Sequence, residues 1–251
     1  MSENILEVTG LEKYFGGVHV TCNLHFAMRE GEQSAIIGPN GAGKSTFMNL
    51  LTGYHRPDSG KVAFAGEDIT GLPPHQVVRR GISRAFQVSS IFGRMTVGEN
   101  VRAAVQAQMR ATFRLFASAA RVGAEETGRV LALCGLEGKR DLVAGELSQG
   151  DKKRLELAIA LAGKPRLLLL DEPGAGMTGS EKAVVSGLIR RVREQGLTVL
   201  LVEHDMRMVM GISDTVIVLN GGKVIAEGAP AAIQAHPEVI RAYLGGSAGA
   251  A

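Results

Sequence analysis

Gly38-Pro39-Asn40-Gly41-Ala42-Gly43-Lys44-Ser45-Thr46 has the makeup of a loop that grips phosphate. Glycines let the backbone curl until successive N–H groups converge on phosphate oxygens, and a helix beginning there adds positive potential. A lysine at position 44 then reaches the β- and γ-phosphates, and the Ser45 hydroxyl supplies an oxygen to Mg²⁺. A second pair follows far along the chain, where Asp171 and Glu172 end the apolar run Leu167 to Leu170. At the carboxyl edge of a buried strand, Asp171 suits a Mg²⁺ ligand, and Glu172 is free to orient and deprotonate an attacking water. Two such acids could also simply cap a helix. The phosphate loop in the same chain favours nucleotide hydrolysis.

These residues need strands behind them and helices after them. Gln33 to Ile37 reads as a strand feeding the loop, and Phe47, Leu50 and Leu51 recur at helical spacing up to a stop at Gly53. Ile5 to Val8 and Lys61 to Phe64 are further strands. Arg166 to Leu170 and Leu197 to Val202 are continuous apolar strands separated by a helix through Lys182 to Glu194, the pattern of a parallel sheet covered on both faces. Val216 to Leu219 and Val224 to Glu227 flank Asn220-Gly221-Gly222-Lys223, a hairpin signal. Met95 to Leu147 reads as almost entirely helical, without a strand signal, and marks an inserted subdomain. Gly245 to Ala251 is small and polar enough for a flexible tail.

Composition narrows the class. The chain has 251 residues, 45% hydrophobic, with 28 basic against 25 acidic side chains for a net charge of +3. This length suits one large domain or a domain with a subdomain. The longest hydrophobic run is Leu157 to Ala162, far short of the roughly 20 residues a spanning helix needs. The polar start Met1-Ser2-Glu3-Asn4 does not read as a signal peptide, so a cytoplasmic chain is expected. Cys22 and Cys134 are too few for a disulfide frame or zinc site, and read as two buried small side chains.

The ordered set Gly38 to Thr46, Gln87, Leu147-Ser148-Gln149-Gly150-Asp151, Leu167 to Glu172 and His204 resembles the nucleotide-binding subunit of an ATP-binding-cassette (ABC) transporter, from Leu6 to Leu244. The resemblance implies an α/β P-loop NTPase cassette. Its RecA-like core has a mostly parallel sheet, an N-terminal antiparallel β-subdomain and a helical subdomain inserted at about 95–160. Residues 1–244 then form one ATPase domain. Leu147 to Asp151 stands for the family's signature sequence, which closes over the ATP held by a second subunit in a head-to-tail dimer. Ser148 and the Gly150 N–H are expected to reach that γ-phosphate. Gln149 replaces a glycine and Asp151 a glutamine, and a carboxylate at Asp151 would repel phosphate unless it turns away. His204 matches the switch histidine that hydrogen-bonds the γ-phosphate. Gln87 matches the glutamine that touches Mg²⁺ and the attacking water. Phe15, with Tyr14 beside it in a loop, matches the adenine-stacking aromatic, although one of the two could be core. Thr178 stands where many members carry an aspartate that contacts the opposite subunit.

Within that family, Gly66 to His75, Arg84 to Gln87 with Thr96 to Asn100, and Glu238 to Gly245 are most similar to ATPase subunits of branched-chain amino-acid importers. The resemblance implies ATP and Mg²⁺, a second identical or paralogous ATPase, two permease subunits and an outside solute-binding protein, at the cytoplasmic face of the inner membrane. No C-terminal regulatory domain is expected after Leu244, and no nucleic-acid partner. Urea, aromatic acids or lipids are alternative cargoes, and a soluble ABC protein acting on DNA or ribosomes is the reading from another class. The near-neutral total hides an uneven distribution. Arg79 to Arg121 holds eight arginines against Glu99, a net +7, leaving −4 elsewhere. On a helix here Arg110, Arg114 and Arg121 share one stripe, and Val101, Val105, Thr112 and Phe116 another. The basic stripe is a solvated face or a surface for anionic headgroups and acidic permease loops.

Overall fold

A computed structural model describes residues 4–85, 91–108 and 123–244. A six-stranded sheet forms its centre, built from β3 (Gln33–Ile37), β6 (Ile82–Ala85), β7 (Leu167–Asp171), β8 (Thr198–Val202), β9 (Thr215–Asn220) and β10 (Lys223–Gly228) in the order β10-β9-β3-β8-β7-β6. All neighbouring pairs are parallel except β9 with β10. Alternate residues of each strand enter two different cores. Ala35, Ile37, Leu168, Leu170, Val199 and Leu201 face one, and Ile36, Leu167, Leu169, Leu200 and Val202 face the other. A strand buried on both sides needs an unbroken apolar run, because each side chain left in water would forfeit about 1.5–3 kcal/mol.

The first core is closed by α3 (Val97–Gln108), α4 (Ala124–Leu133), α5 (Gln149–Ala162) and α6 (Gly179–Glu194). The second is closed by α1 (Lys44–Leu51) and a four-stranded antiparallel sheet of β1 (Asn4–Phe15), β2 (Val18–Arg29), β4 (Ser59–Phe64) and β5 (Glu67–Asp68), in the order β2-β1-β4-β5. The α/β class with its parallel core and antiparallel N-terminal sheet is therefore as read from the sequence. Among the described residues there are also short helices, α2 (Pro74–Arg79), α7 (Met206–Ile212), α8 (Pro230–Gln234) and α9 (Pro237–Leu244).

Several local readings need correction. Tyr14 and Phe15 lie at the end of β1, not in a loop, and pair with His19 and Val18 across a tight turn. The partner strand β2 has its alternation interrupted by bulges near Cys22 and Asn23, where Asn23 takes φ 47°. Cys134 is buried, but Cys22 is only half-buried. The helix expected from Lys182 starts at Gly179, because Thr178 caps it with its side chain and Glu181 returns the bond. Residues after Cys134 are not one helix. They run through 3₁₀ turns at Glu137–Lys139 and Ala144–Glu146 and double back along α3, with a bridge from Thr96 to Val143. Val101 and Val105 are buried in α3 as its spacing predicts. Gln87, Arg110, Thr112, Arg114, Phe116, Arg121 and the tail 245–251 lie outside the described residues.

Candidate functional site

Parallel pairing brings the chemistry to one edge. Ile36 pairs with Val202 and Val202 with Asp171, so the chain leaves β3, β7 and β8 at the same level. After β3 the phosphate loop turns back to α1, and its glycines have specific work. A Cβ on Gly38 would come within 2.1 Å of the Leu219 carbonyl oxygen. Gly43, which caps α1 at φ 99°, would meet the Val20 oxygen at 2.7 Å. The β9–β10 turn braces this loop from behind, since the Gly222 N–H donates to the Ala42 carbonyl at 3.1 Å. The hairpin was legible in the sequence, but its service to the phosphate loop was not.

Lys44 is buried and its Nζ donates to the carbonyls of Gly38 and Pro39 at 2.8 and 2.9 Å. Burial pulls its pKa below the ordinary lysine value, against the opposing attraction of the Glu172 and Asp171 carboxylates. Ser45 is exposed and Thr46 half-buried at the start of α1. Asp171 ends β7 with its Oδ2 accepting from Arg84 Nη2 at 2.6 Å. The same guanidinium donates through Nη1 to Asn49 Oδ1 at 2.6 Å, tying β6, β7 and α1 together. Arg84 and Asp171 are 87 residues apart in the chain, so no local spacing signals the pair.

Glu172 and His204 meet across the edge, with Nε2 to Oε1 at 2.9 Å and both side chains open to solvent. Glu172 holds φ 52°, an unusual backbone for a residue with a Cβ, and its N–H donates to the Val202 carbonyl at 2.9 Å. Behind them Glu203 is buried and accepts from backbone N–H groups on both loops. Its neighbour Asp205 caps α7 and pairs with Lys182 at 2.7 Å. At the far end of β1, Tyr14 and Phe15 are both exposed. Tyr14 lies stacked on His19 with ring centres 4.1 Å apart, whereas Phe15 meets His55 edge-on and Lys13 lies over its ring. Neither aromatic is core.

The signature segment forms a separate surface at the start of α5. Ser148 is exposed and caps the helix, its Oγ accepting from the Asp151 N–H at 3.2 Å. Asp151 turns inward to pair with Lys139 and Arg154. Burial alone would push the Asp151 pKa up. Hydrogen bonds from Lys139 and Ser148, with the Arg154 charge, instead hold it below the ordinary carboxylate value. The repulsion anticipated for this carboxylate is thus neutralised internally. Leu147 is buried and Gln149 exposed. Glu181 accepts from the Thr178 N–H at 2.9 Å and from the Thr178 hydroxyl at 2.8 Å, and these bonds, with the nearby Gly150 amide, hold its pKa below the ordinary carboxylate value.

For magnesium, Asp171 offers a carboxylate and Ser45 a hydroxyl, an all-oxygen set that suits a hard cation completing its shell with phosphate and water. Among the described residues no cluster of three or more His, Cys, Asp or Glu could hold a metal without such help.

The ABC transporter family model matches residues 21–175, and the model described as branched-chain amino acid ATP-binding cassette transporter matches residues 223–249. The chain is 40% identical to the high-affinity branched-chain amino acid transport ATP-binding protein BraF of Pseudomonas aeruginosa, over 98% of this chain and 99% of BraF. It is 39% identical to the corresponding LivG protein of Escherichia coli, with the same coverage. Among solved structures, the ADP conformation of the ATP-binding cassette MJ1267 superposes with a TM-score of 0.85 at 29% identity, over 97% of this chain and all of that one. A dimeric post-hydrolysis cassette, MJ0796 bound to ADP and Pi, gives 0.77 at 25% identity, over 90% and 98% of the two chains.

Proposed function

The chain belongs to the ABC transporter family, and from that premise we propose that it is the ATP-hydrolysing subunit of an importer for branched-chain amino acids. The observation that carries the hydrolytic reading is the contact of Glu172 with His204 at the sheet edge where the phosphate loop also begins. The cargo reading draws on the names of BraF and LivG and on the match at residues 223–249.

In this reading the backbone N–H groups from Gly38 through Thr46 and the Lys44 ammonium hold the phosphates of ATP. Lys44 can exchange the Gly38 and Pro39 carbonyls for phosphate oxygens without leaving its pocket. Phe15 stacks on the base. Ser45, Asp171 and Gln87 would hold Mg²⁺, and bound there it neutralises charge on the β- and γ-phosphates. Glu172 takes the proton of the attacking water, while His204 hydrogen-bonds the γ-phosphate and holds the Glu172 carboxylate in place. The exposed Ser148 is presented to the ATP of a second ATPase subunit. The Gly150 N–H joins that contact at the start of α5.

Among the described residues no helix is long and apolar enough to cross a membrane. We assign the chain to a peripheral position on the cytoplasmic face of the inner membrane, as one of two ATPase subunits on two permeases fed by a solute-binding protein. Residues 1–244 act as one ATPase domain carrying the helical subdomain. The test is reconstitution of the chain with its co-purifying permeases and binding protein in liposomes. Leucine, isoleucine or valine should stimulate ATP hydrolysis and enter the vesicles. Stimulation by urea or an aromatic acid, with none by these three, refutes the cargo assignment.

A further inference from the structure

Glu203 is a carboxylate only 4% exposed at the end of β8, and the functional reading gives it no part. A buried carboxylate is costly unless hydrogen bonds replace its water. Here the replacements come from two different loops. Oε1 accepts from the Gly174 N–H at 2.8 Å, and Gly174 follows Glu172 by two residues. Oε2 accepts from the N–H groups of His204 at 2.6 Å and Asp205 at 3.1 Å. One side chain therefore clamps the loop bearing Glu172 to the loop bearing His204.

The clamp sits where the backbone needs support. Glu172 is held in a left-handed conformation that is unfavourable for a residue with a Cβ and persists only when its surroundings over-determine it. The Glu172 N–H bond to Val202 and the Ala175 N–H bond to the Glu172 carbonyl fix one side of that turn, and Glu203 fixes the residue beyond it. The space is close: a Cβ built on Gly174 would lie 2.6 Å from Glu203 Oε1. We propose that Glu203 is a positioning residue for hydrolysis, its two oxygens setting the separation of Glu172 and His204. This rests on the reading of those two residues as the hydrolytic pair. A glutamine cannot substitute, because it has one acceptor, and its NH₂ group would face an N–H donor on one loop or the other.

The decisive experiment compares Glu203→Gln, His204→Ala and the double variant in the assembled transporter, with ATPase kinetics, nucleotide-binding affinity and melting temperature. Glu203→Gln should lower kcat roughly 10- to 100-fold, the scale of a misplaced catalytic group, while KM for ATP and nucleotide affinity stay within about twofold. In the His204→Ala background the same change should cost less than about threefold, because the contact it positions is already gone. Unchanged kcat in Glu203→Gln, or an equal fold loss with and without His204, overturns the proposal. If Glu203→Gln does not fold, Gly174→Ala displaces the carboxylate from the other side and is judged by the same kcat, KM and coupling criteria. A wild-type assembly that does not hydrolyse ATP refutes the functional reading and this inference together. Hydrolysis that is lost in Glu172→Gln yet insensitive to Glu203→Gln refutes this inference alone.

Discussion

The sheet edge and the start of α5 both gather polar side chains, but they dispose of charge in opposite ways. At the sheet edge Glu172 and His204 touch each other while remaining open to solvent, and their support lies behind them in the buried Glu203 and the Arg84–Asp171 pair. At α5 the charged group is itself the buried one: Asp151 is enclosed by Lys139, Arg154 and Ser148, and what remains outward is a hydroxyl and a glutamine. The first surface has reactive groups free to meet a substrate. The second has its charge settled and offers a helix start, which can complete a site but cannot perform hydrolysis. The difference fits the paired action proposed above, and it predicts that damage to the first surface costs turnover, whereas damage to the second also costs stability.

The largest effect should come from Glu172→Gln. Removing the base should lower kcat by about 10²–10⁴ and leave the melting temperature almost unchanged, because the side chain is open to solvent. Size-exclusion chromatography with ATP should show a longer-lived dimer. Unchanged turnover would remove Glu172 from the reaction and erase the contrast between the surfaces. Next in size is Phe15→Ala, at the outer end of β1. Loss of base stacking, worth roughly 1–3 kcal/mol, should raise KM for ATP by about 5- to 150-fold with kcat retained. Tyr14→Ala serves as the comparison, since one face of that ring is already covered by His19. A larger KM effect from Tyr14→Ala would exchange their roles.

What could be read from the sequence follows the same division. The phosphate loop and the strand Leu167 to Leu170 were legible because their requirements are local: glycines at fixed offsets, and an apolar run that only a doubly covered strand explains. That Glu172 and His204 each follow an apolar strand was legible, but their contact emerges only from the parallel register of β7 and β8. Partnerships between distant residues were not legible. Nothing near Asp171 announces Arg84, and nothing near Asp151 says that Lys139 will turn its carboxylate inward. Glu203 reads as an ordinary charge next to a histidine until β8 buries it. The same holds for β2, whose alternation is broken by the bulge at Asn23, so that its pairing with β1 emerges only from the antiparallel sheet.

The smallest predicted effect tests the second surface through pH. Asp151 has its pKa held below the ordinary carboxylate value in the folded chain, so folding favours its ionised form. A group of that kind contributes stability that is fully present above the unfolded pKa of about 3.9 and is lost as pH falls through the lower folded value. Asp151→Asn keeps the shape but gives up the charge that Lys139 and Arg154 share. Both cations reach solvent, so the cost at pH 7 should be modest, about 1–2 kcal/mol, or roughly 2–8 °C in melting temperature for a chain of this size. The gap between wild type and Asp151→Asn should narrow as pH drops below about 4, since the unfolded chain then takes up the proton first and the folded carboxylate follows at lower pH. A gap independent of pH would mean that Asp151 acts through packing and not charge. In that event the start of α5 is no better neutralised than the sheet edge, and the contrast between the two surfaces reduces to exposure alone.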